Sequence, residues 1–477
     1  MKAAVTKIVG EDRVSNEQEV LERYVGEFTP TLVVWPMSTN EVVEIVSWAN
    51  EQSVALVPVS SGSPRLRGSS LPKVNNTVII DLSRMNRILR VDAKNKVVMI
   101  EPGVTFGQLI PELTKNGLRP LMPLLPKASK SVLASCLDRE PITIPRFHWD
   151  LSDPLLCTET VFGSGDTLRT GSAAGPGSLE EQWASGQAQK NPMGPSQFDP
   201  FRIIQGSQGT IGITTWISMK CEILPEYHQI YLAGAARLDE IEGFNYALLR
   251  RRLVDEHFMV NSYALRAALN KEIDLPHWIL ILGVSGHGVL AHDELEYRSQ
   301  DTMDLAKEYN IELTAALNDL KHEDVAALLN RSSDETYWKH KPRGICREAI
   351  FTTTLDHVQR LYSTFAVAAD EFGFPKEQIG AYIQPVVQGT STHCSFDLYF
   401  DPASREEVES ANNLLREGRK KLLEEGAFFN RPYGSITGEV FEKTSAEMVK
   451  AIQSVKAIFD PNHVLNPGTL CFKEVPK

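Results

Sequence analysis

The chain has 477 residues, 42% of them hydrophobic and 23% charged, with 31 Gly and 27 Pro. Those proportions describe ordinary globular protein with room for two or three buried cores, and they exclude collagen, disorder and a disulfide-stapled scaffold. A formal net charge of −12 repels a phosphate backbone, so nucleic acid is not an expected partner.

Cys136, Cys157, Cys221, Cys346, Cys394 and Cys471 are scattered, with no Cys-x-x-Cys pair. No iron–sulfur cluster or zinc knuckle can be built from local motifs, and the pattern fits a reducing, cytoplasmic setting. The N-terminus lacks an apolar run of signal-peptide length. The longest strongly apolar stretch, around 278–284, is too short to span a bilayer, so any membrane attachment is expected through a partner.

In chain order, residues 31–35 form a short β-branched run that ends at Pro36. Ser38 and Glu41 then read as a capping box for a helix over 41–50. Strands are expected at 54–59, 77–82, 88–91 and 97–101, and a helix at 105–116 after Pro102-Gly103. The stretch 123–210 is rich in Pro, Ser and Gly, with an isolated strand at 155–162. Such irregularity inside a compact domain points to a ligand-wrapping segment. A strand at 214–223 closes this α/β part.

From about 227 the pattern becomes strands at 230–236, 278–283, 349–354, 381–387 and 394–400. Amphipathic helices lie between them at 239–256, 292–309, 355–372 and 405–425. That is an antiparallel sheet faced by helices, a second domain of α+β type. A final helix at 444–459, capped by Thr444 and Glu447, presents Met448, Ile452, Val455 and Phe459.

Three segments carry chemistry. The loop after the second strand holds Pro58, Ser60, Ser61, Gly62, Ser63, Pro64, Arg65 and Ser69. Its backbone N–H groups and hydroxyls suit a pyrophosphate, although a flexible surface loop has the same composition. No Gly-x-Gly-x-x-Gly opens a helix after the first strand, so this is not the nicotinamide fingerprint. Gly206, Ser207, Gly209, Thr210 and Gly212 form a second glycine-rich turn that permits close approach of a ligand. The third segment, 459–468, is a helix stop followed by a Pro-Gly turn containing Asn466.

Taken together, these motifs resemble those of the FAD-linked oxidoreductases of the vanillyl-alcohol oxidase and p-cresol methylhydroxylase superfamily. The matching residues are Trp35-Pro36-x-Ser38-x-x-Glu41-Val42, the 58–70 loop, Glu101-Pro102-Gly103-Val104, Gly206-Ser207-x-Gly209-x-x-Gly212 and Asp460-Pro461-Asn462-x-x-Leu465-Asn466-Pro467-Gly468. They run from about 28 to 470 in the family's order. The resemblance implies an α+β fold with a bipartite FAD-binding domain at 1–226, an inserted cap at 227–430 and a returning segment at 431–477. The layout is most similar to glycolate oxidase and D-lactate dehydrogenase large subunits.

That resemblance implies hydride transfer from a small 2-hydroxy acid to flavin N5. Electrons would then pass to an iron–sulfur subunit or an electron-transfer flavoprotein, since the chain has no cluster ligands of its own. Arg347 and Arg343, in a basic run at 339–347, are the expected carboxylate anchors. His393 and Glu439 are expected to take the proton or hold substrate, and Tyr382, Gln384, Gln388 and Tyr433 to line the pocket. The branch's second histidine is replaced by Val386 and its base histidine by Val440. A metal is therefore not expected, a His393/Glu439 site being the alternative.

The family's Gly-Gly-Asn region is altered at 131–141. No histidine matches the covalent attachment positions, so FAD is expected to be non-covalent, with His148 the one candidate for a link. Two other readings stay open: oxidation of a para-substituted phenol, which Tyr433 beside Arg431 permits, and a non-catalytic flavin-fold subunit.

Overall fold

The computed structural model describes residues 1–63, 65, 70–145, 150, 153–334, 336–473 and 475–476. Pro64, Ser69 and His148, singled out above, lie outside the described residues.

The first sheet has the strand order Val14–Ser15, Leu32–Val34, Thr77–Asp81, Ala55–Val59, and its last three strands are parallel. The helix Thr39–Gln52 makes the crossover, burying Val42, Ile45, Val46 and Ala49 at helical spacing. Ser38 caps it by accepting the Glu41 N–H at 3.3 Å. The Glu41 carboxylate does not complete the expected box, because it accepts instead from the Met37 N–H and from Arg13, both at 2.7 Å.

The second sheet is antiparallel, in the order Ile88–Asp92, Val97–Ile100, Gly212–Ile223, Leu155–Phe162, Thr167–Arg169, with Leu118–Pro120 also pairing with Gly212–Ile223. Every residue of Leu155–Phe162 is buried, as an element covered on both faces must be. The helix Phe106–Lys115 lies where expected.

The third sheet is antiparallel and has the order Tyr227–Ala235, Trp278–Gly286, Glu256–Asn261, Ile379–Val386, Ser391–Phe400, Ile345–Thr353. Cys394, Phe396, Leu398 and Phe400 point into the larger core, which contains the buried faces of Val358–Glu371 and Arg405–Glu424. Side-chain alternation sends His393, Ser395, Asp397 and Tyr399 to the other face.

One expected element divides in two. Residues 239–256 do not form a single helix: Glu242–Arg251 ends at Arg252 with φ 52°, and Glu256–Asn261 is a fully buried inner strand. Glu256, the last residue of the expected helix, opens this strand instead and buries its charge in an ion pair. The last helix, Ala446–Phe459, begins two residues late. Ser445 is its cap, accepting the Met448 N–H at 3.3 Å. Ile452, Val455 and Phe459 pack inward as expected, but Met448 is exposed.

The tail returns to the first sheet. Leu56 N–H donates to Val464 at 2.7 Å, and Asn466 N–H to Leu56 at 2.8 Å. Lys456 is buried, donating to the Thr210 carbonyl at 2.6 Å, the Leu465 carbonyl at 2.9 Å and the Asp460 carboxylate. Among the described residues no helix is long and apolar enough to cross a membrane.

Candidate active site

A cleft with about 1090 Å³ of empty space opens between the first two sheets. The glycine- and serine-rich loop forms one wall through Pro58, Ser60, Ser61, Gly62 and Arg65, and Ser207, Gly209 and Gly212 form another. Leu82, Leu133, Leu137, Ile204 and Ile213 supply apolar sides. The loop is pinned from behind: Gly62 N–H donates to Ser129 at 2.9 Å, Ser131 N–H to the Ser61 hydroxyl at 3.1 Å, and Lys127 Nζ to the Gly62 carbonyl at 3.3 Å. Such cross-bracing holds the backbone in one shape before a ligand arrives.

Of the other expected cofactor residues, Gly206, Thr210, Asn466 and Ser63 do not line this cleft. Thr210 is buried with its hydroxyl on the Ser207 carbonyl at 2.7 Å. Asn466 donates to the Gln208 carbonyl at 2.7 Å and so shapes the second loop from below.

A second cavity, with about 590 Å³ of empty space, lies under the third sheet. Lys127 and Lys130 line both cavities, so the two adjoin there. His393, Ser395, Tyr382, Glu348 and Ile350 come from strands of the third sheet, Tyr337, Trp338 and Lys339 from the turn before them, Glu140 from the first part of the chain and Arg431 from the segment after Arg405–Glu424.

The cavity's charges are ordered. Lys130 donates to Glu140 at 2.5 Å, and Glu140 also accepts from the Ser135 hydroxyl at 2.6 Å. Lys339 lies 2.6 Å from Glu348 and 2.7 Å from Asp397. Burial alone would lower Lys339, but these two carboxylates outweigh it and hold the ammonium well above its ordinary range. Burial pushes the Tyr382 and Tyr337 phenols up, so both stay neutral. Arg431, 4% exposed, donates to His393 Nδ1 at 3.3 Å.

The structure separates the expected site residues. His393 and Tyr382 reach the cavity. Gln384 is fully buried behind it, accepting from the Tyr382 hydroxyl at 2.5 Å and donating to the Ile142 carbonyl. Arg347 pairs in register with Leu398, on the helix-covered face, and its side chain is exposed. There it adds to burial in bringing Arg419 down to about 10. Arg343 is engaged by Glu407. Neither arginine lines the cavity, so the anchoring role expected of them has no support in their placement.

Glu439 sits on Ile436–Lys443 and pairs with Lys420 at 3.6 Å; it does not join His393 in the cavity lining. Among the described residues no group of three or more His, Cys, Asp or Glu side chains could hold a metal ion. Tyr433 is half-buried outside both cavities, and Gln388 lines a separate small one. The sequence reading overlooked Lys127, Lys130 and Glu140, whose only signal was their place in the irregular 123–210 stretch. It also named Arg431 only as a neighbour of Tyr433.

The first cleft fits a dinucleotide. A Cβ on Gly209, whose φ is +73°, would lie 2.6 Å from Pro58 Cγ, so the two loops meet only because that carbon is missing. Lys127, Lys130 and Arg65 on its lining would supply cations for phosphates, and the leucines and isoleucines apolar walls.

The fold and this cleft define an FAD-dependent oxidoreductase. The family model described as FAD binding domain matches residues 30–130. The mitochondrial D-lactate dehydrogenase (cytochrome) of Arabidopsis thaliana is 24% identical over 458 residues, 92% of this chain and 73% of that one. Glycolate oxidase subunit GlcD of Bacillus subtilis is 22% identical over 475 residues, 94% of this chain and 90% of that one. The structure of p-cresol methylhydroxylase with substrate bound superposes with a TM-score of 0.83 at 18% identity, covering 99% of this chain and 96% of that one. The chain thus has the fold of p-cresol methylhydroxylase, with an FAD binding domain matched at residues 30–130.

Proposed function

We propose that the protein dehydrogenates a small organic oxyanion, a 2-hydroxy acid in the principal reading, held in the cap cavity beside FAD. The observation that carries this is Arg431: a buried guanidinium facing a cavity that adjoins the flavin cleft at Lys127 and Lys130. A guanidinium in that position suits a carboxylate better than any neutral donor. It takes the anchoring role first expected of Arg347. FAD, non-covalently bound, would accept the hydride at N5. Glu140 and Glu348, paired with Lys130 and Lys339, are the carboxylates available to take the hydroxyl proton. Residues 1–226 and 431–477 hold the cofactor in this reading, and 227–430 cover the substrate.

The D-lactate dehydrogenase and glycolate oxidase relatives, matched along nearly the whole chain, support the hydroxy acid. A para-substituted phenol is a second reading, favoured by the aromatic wall of Tyr337, Trp338 and Tyr382 around Arg431. An electron-accepting partner in the cytoplasm, an iron–sulfur subunit or an electron-transfer flavoprotein, completes the proposal. The name of the Bacillus subtilis relative, a subunit, supports such an assembly.

The test is anaerobic titration of the yellow protein with panels of 2-hydroxy acids and 4-alkylphenols. Bleaching of the flavin by a hydroxy acid supports the principal reading, and bleaching by phenols alone selects the second. No bleaching by either panel would sink both.

A further inference from the structure

We infer that Arg431 fixes His393 as a hydrogen-bond donor to the substrate's anionic oxygen, which removes His393 from the role of base. The inference deepens the reading above and rests on it for the identity of the oxyanion, but its structural premise does not.

The argument begins with an asymmetry in hydrogen-bonding capacity. A guanidinium carries five N–H donors and no acceptor, and it does not lose its proton in proteins. The 3.3 Å contact between Arg431 and His393 Nδ1 can therefore run only one way, with Nδ1 offering its lone pair. A neutral imidazole has one protonated nitrogen, so the hydrogen must be on Nε2. In that state His393 has no lone pair left for a substrate proton. It has one N–H, on the atom opposite Arg431.

The surroundings act in the same direction. From the returning segment comes Arg431; from the cap turn, Lys339; from the irregular segment of the first part, Lys127 and Lys130. The carboxylates facing the same space are Glu348 and Glu140, with Asp397 behind Lys339. The Tyr382 phenol, with its ring centroid 6.0 Å from that of His393, stays neutral. Among the described residues positive groups outnumber negative ones at the cavity wall, and a guanidinium touches the ring. Both disfavour an imidazolium. The strand holds the ring in place: His393 is 5% exposed and paired in register between Thr352 and Gln384. Arg431 is thus a positioning residue for His393 as well as an anchor.

The premise can be read without turnover. The full flavin-bound chain, labelled with ¹⁵N-histidine, gives two-bond correlations that distinguish the two neutral tautomers and the imidazolium. The signal absent from His393→Gln identifies this ring among the 11 histidines. The expected result is the Nε2–H form from pH 5 to pH 8. A ring protonated on Nδ1, or one that gains a second proton in that range, overturns the inference even if every hydroxy acid bleaches the flavin.

The consequence is read with a substrate that reduces the flavin. His393→Gln presents an amide N–H but no base, so its reduction rate should stay within about tenfold of the parent. His393→Phe, lacking the donor, should lose roughly 10–100-fold, the worth of one hydrogen bond to a charged group. The parent should show no acid limb near pH 6.5, the ordinary histidine range. Equal loss in both variants at normal flavin content, together with such a limb, would restore His393 as the base. If no substrate bleaches the flavin, the functional reading fails and the tautomer result still stands or falls alone.

Discussion

Arg119, on a strand of the first part of the chain, and Glu256, on an inner strand of the cap, meet at 2.8 Å in an ion pair with side chains 8% and 0% exposed. His228 Nε2 lies 3.1 Å from the second oxygen of the same carboxylate. Burial alone would raise the Glu256 carboxyl; Arg119 and His228 outweigh it and bring it down to about 2. The ordinary value is 4.5, so the folded state favours the ionised form. The stability it contributes is present above that value and is lost as the pH falls from about 4.5 toward 2. Glu256→Gln should cost about 3 kcal/mol, because the Arg119 guanidinium stays buried without its counter-charge. Thermal melting at pH 7 and pH 3.5 checks this: the gap between parent and variant should narrow at the lower pH.

Lys456 and Asp460 form a second buried pair, one helical turn apart, with side chains 1% and 0% exposed. Asp460 also accepts the N–H groups of Val464 and Leu465 at 3.0 and 2.9 Å. Lys456→Met should cost about 3 kcal/mol by leaving that carboxylate uncompensated. Combining it with Asp460→Asn should restore part of the loss, since no bare charge then remains. Chemical denaturation of the two single variants and the double variant gives the coupling; strict additivity would contradict this account.

Substitution at Arg431 and at Arg347 should separate cleanly. Arg431→Met should raise the apparent KM for the reducing substrate roughly 10–100-fold with flavin content retained. Arg347→Leu, on the solvent-facing edge of the helix side, should leave it unchanged. Steady-state kinetics with spectroscopic flavin counts measure both, and a KM effect confined to Arg347 would reverse the assignment.

Gly209→Ala forces a Cβ against Pro58 and a left-handed φ on a residue that resists it, the second alone worth about 1 kcal/mol. FAD affinity should fall about tenfold or more while the cap is untouched. Flavin release followed by fluorescence tests it.

Much of this was legible in the residues. The strand at Leu155–Phe162 and the helix at Phe106–Lys115 follow from apolar runs and a Pro-Gly break, which are local signals. The flavin cleft was legible only from three segments together, 58–70, 206–212 and 459–468, since the first alone has the composition of a surface loop. The cap cavity was harder because it depends on strand parity. In Ile345–Thr353, Glu348 and Ile350 face the cavity while Arg347, one residue away, faces the helices. A run of basic residues gives no hint of which parity the sheet will select until its partner strands are in place. Arg431 sits in a segment with no periodicity, and Lys130 and Glu140 in one too irregular to assign, so neither could be placed before the fold brought them together.

The junction of Leu56 with Val464 and Asn466 has a consequence for how the holoprotein is made. A parallel bridge joins residues 56 and 465, and Lys456 fastens the tail to the carbonyl of Thr210 in the second flavin loop. During synthesis the loop at 58–63 and its braces at 127–131 emerge well before the tail that fastens Leu56 and Thr210. The cleft therefore reaches its final shape only when segments from opposite ends of the chain have met.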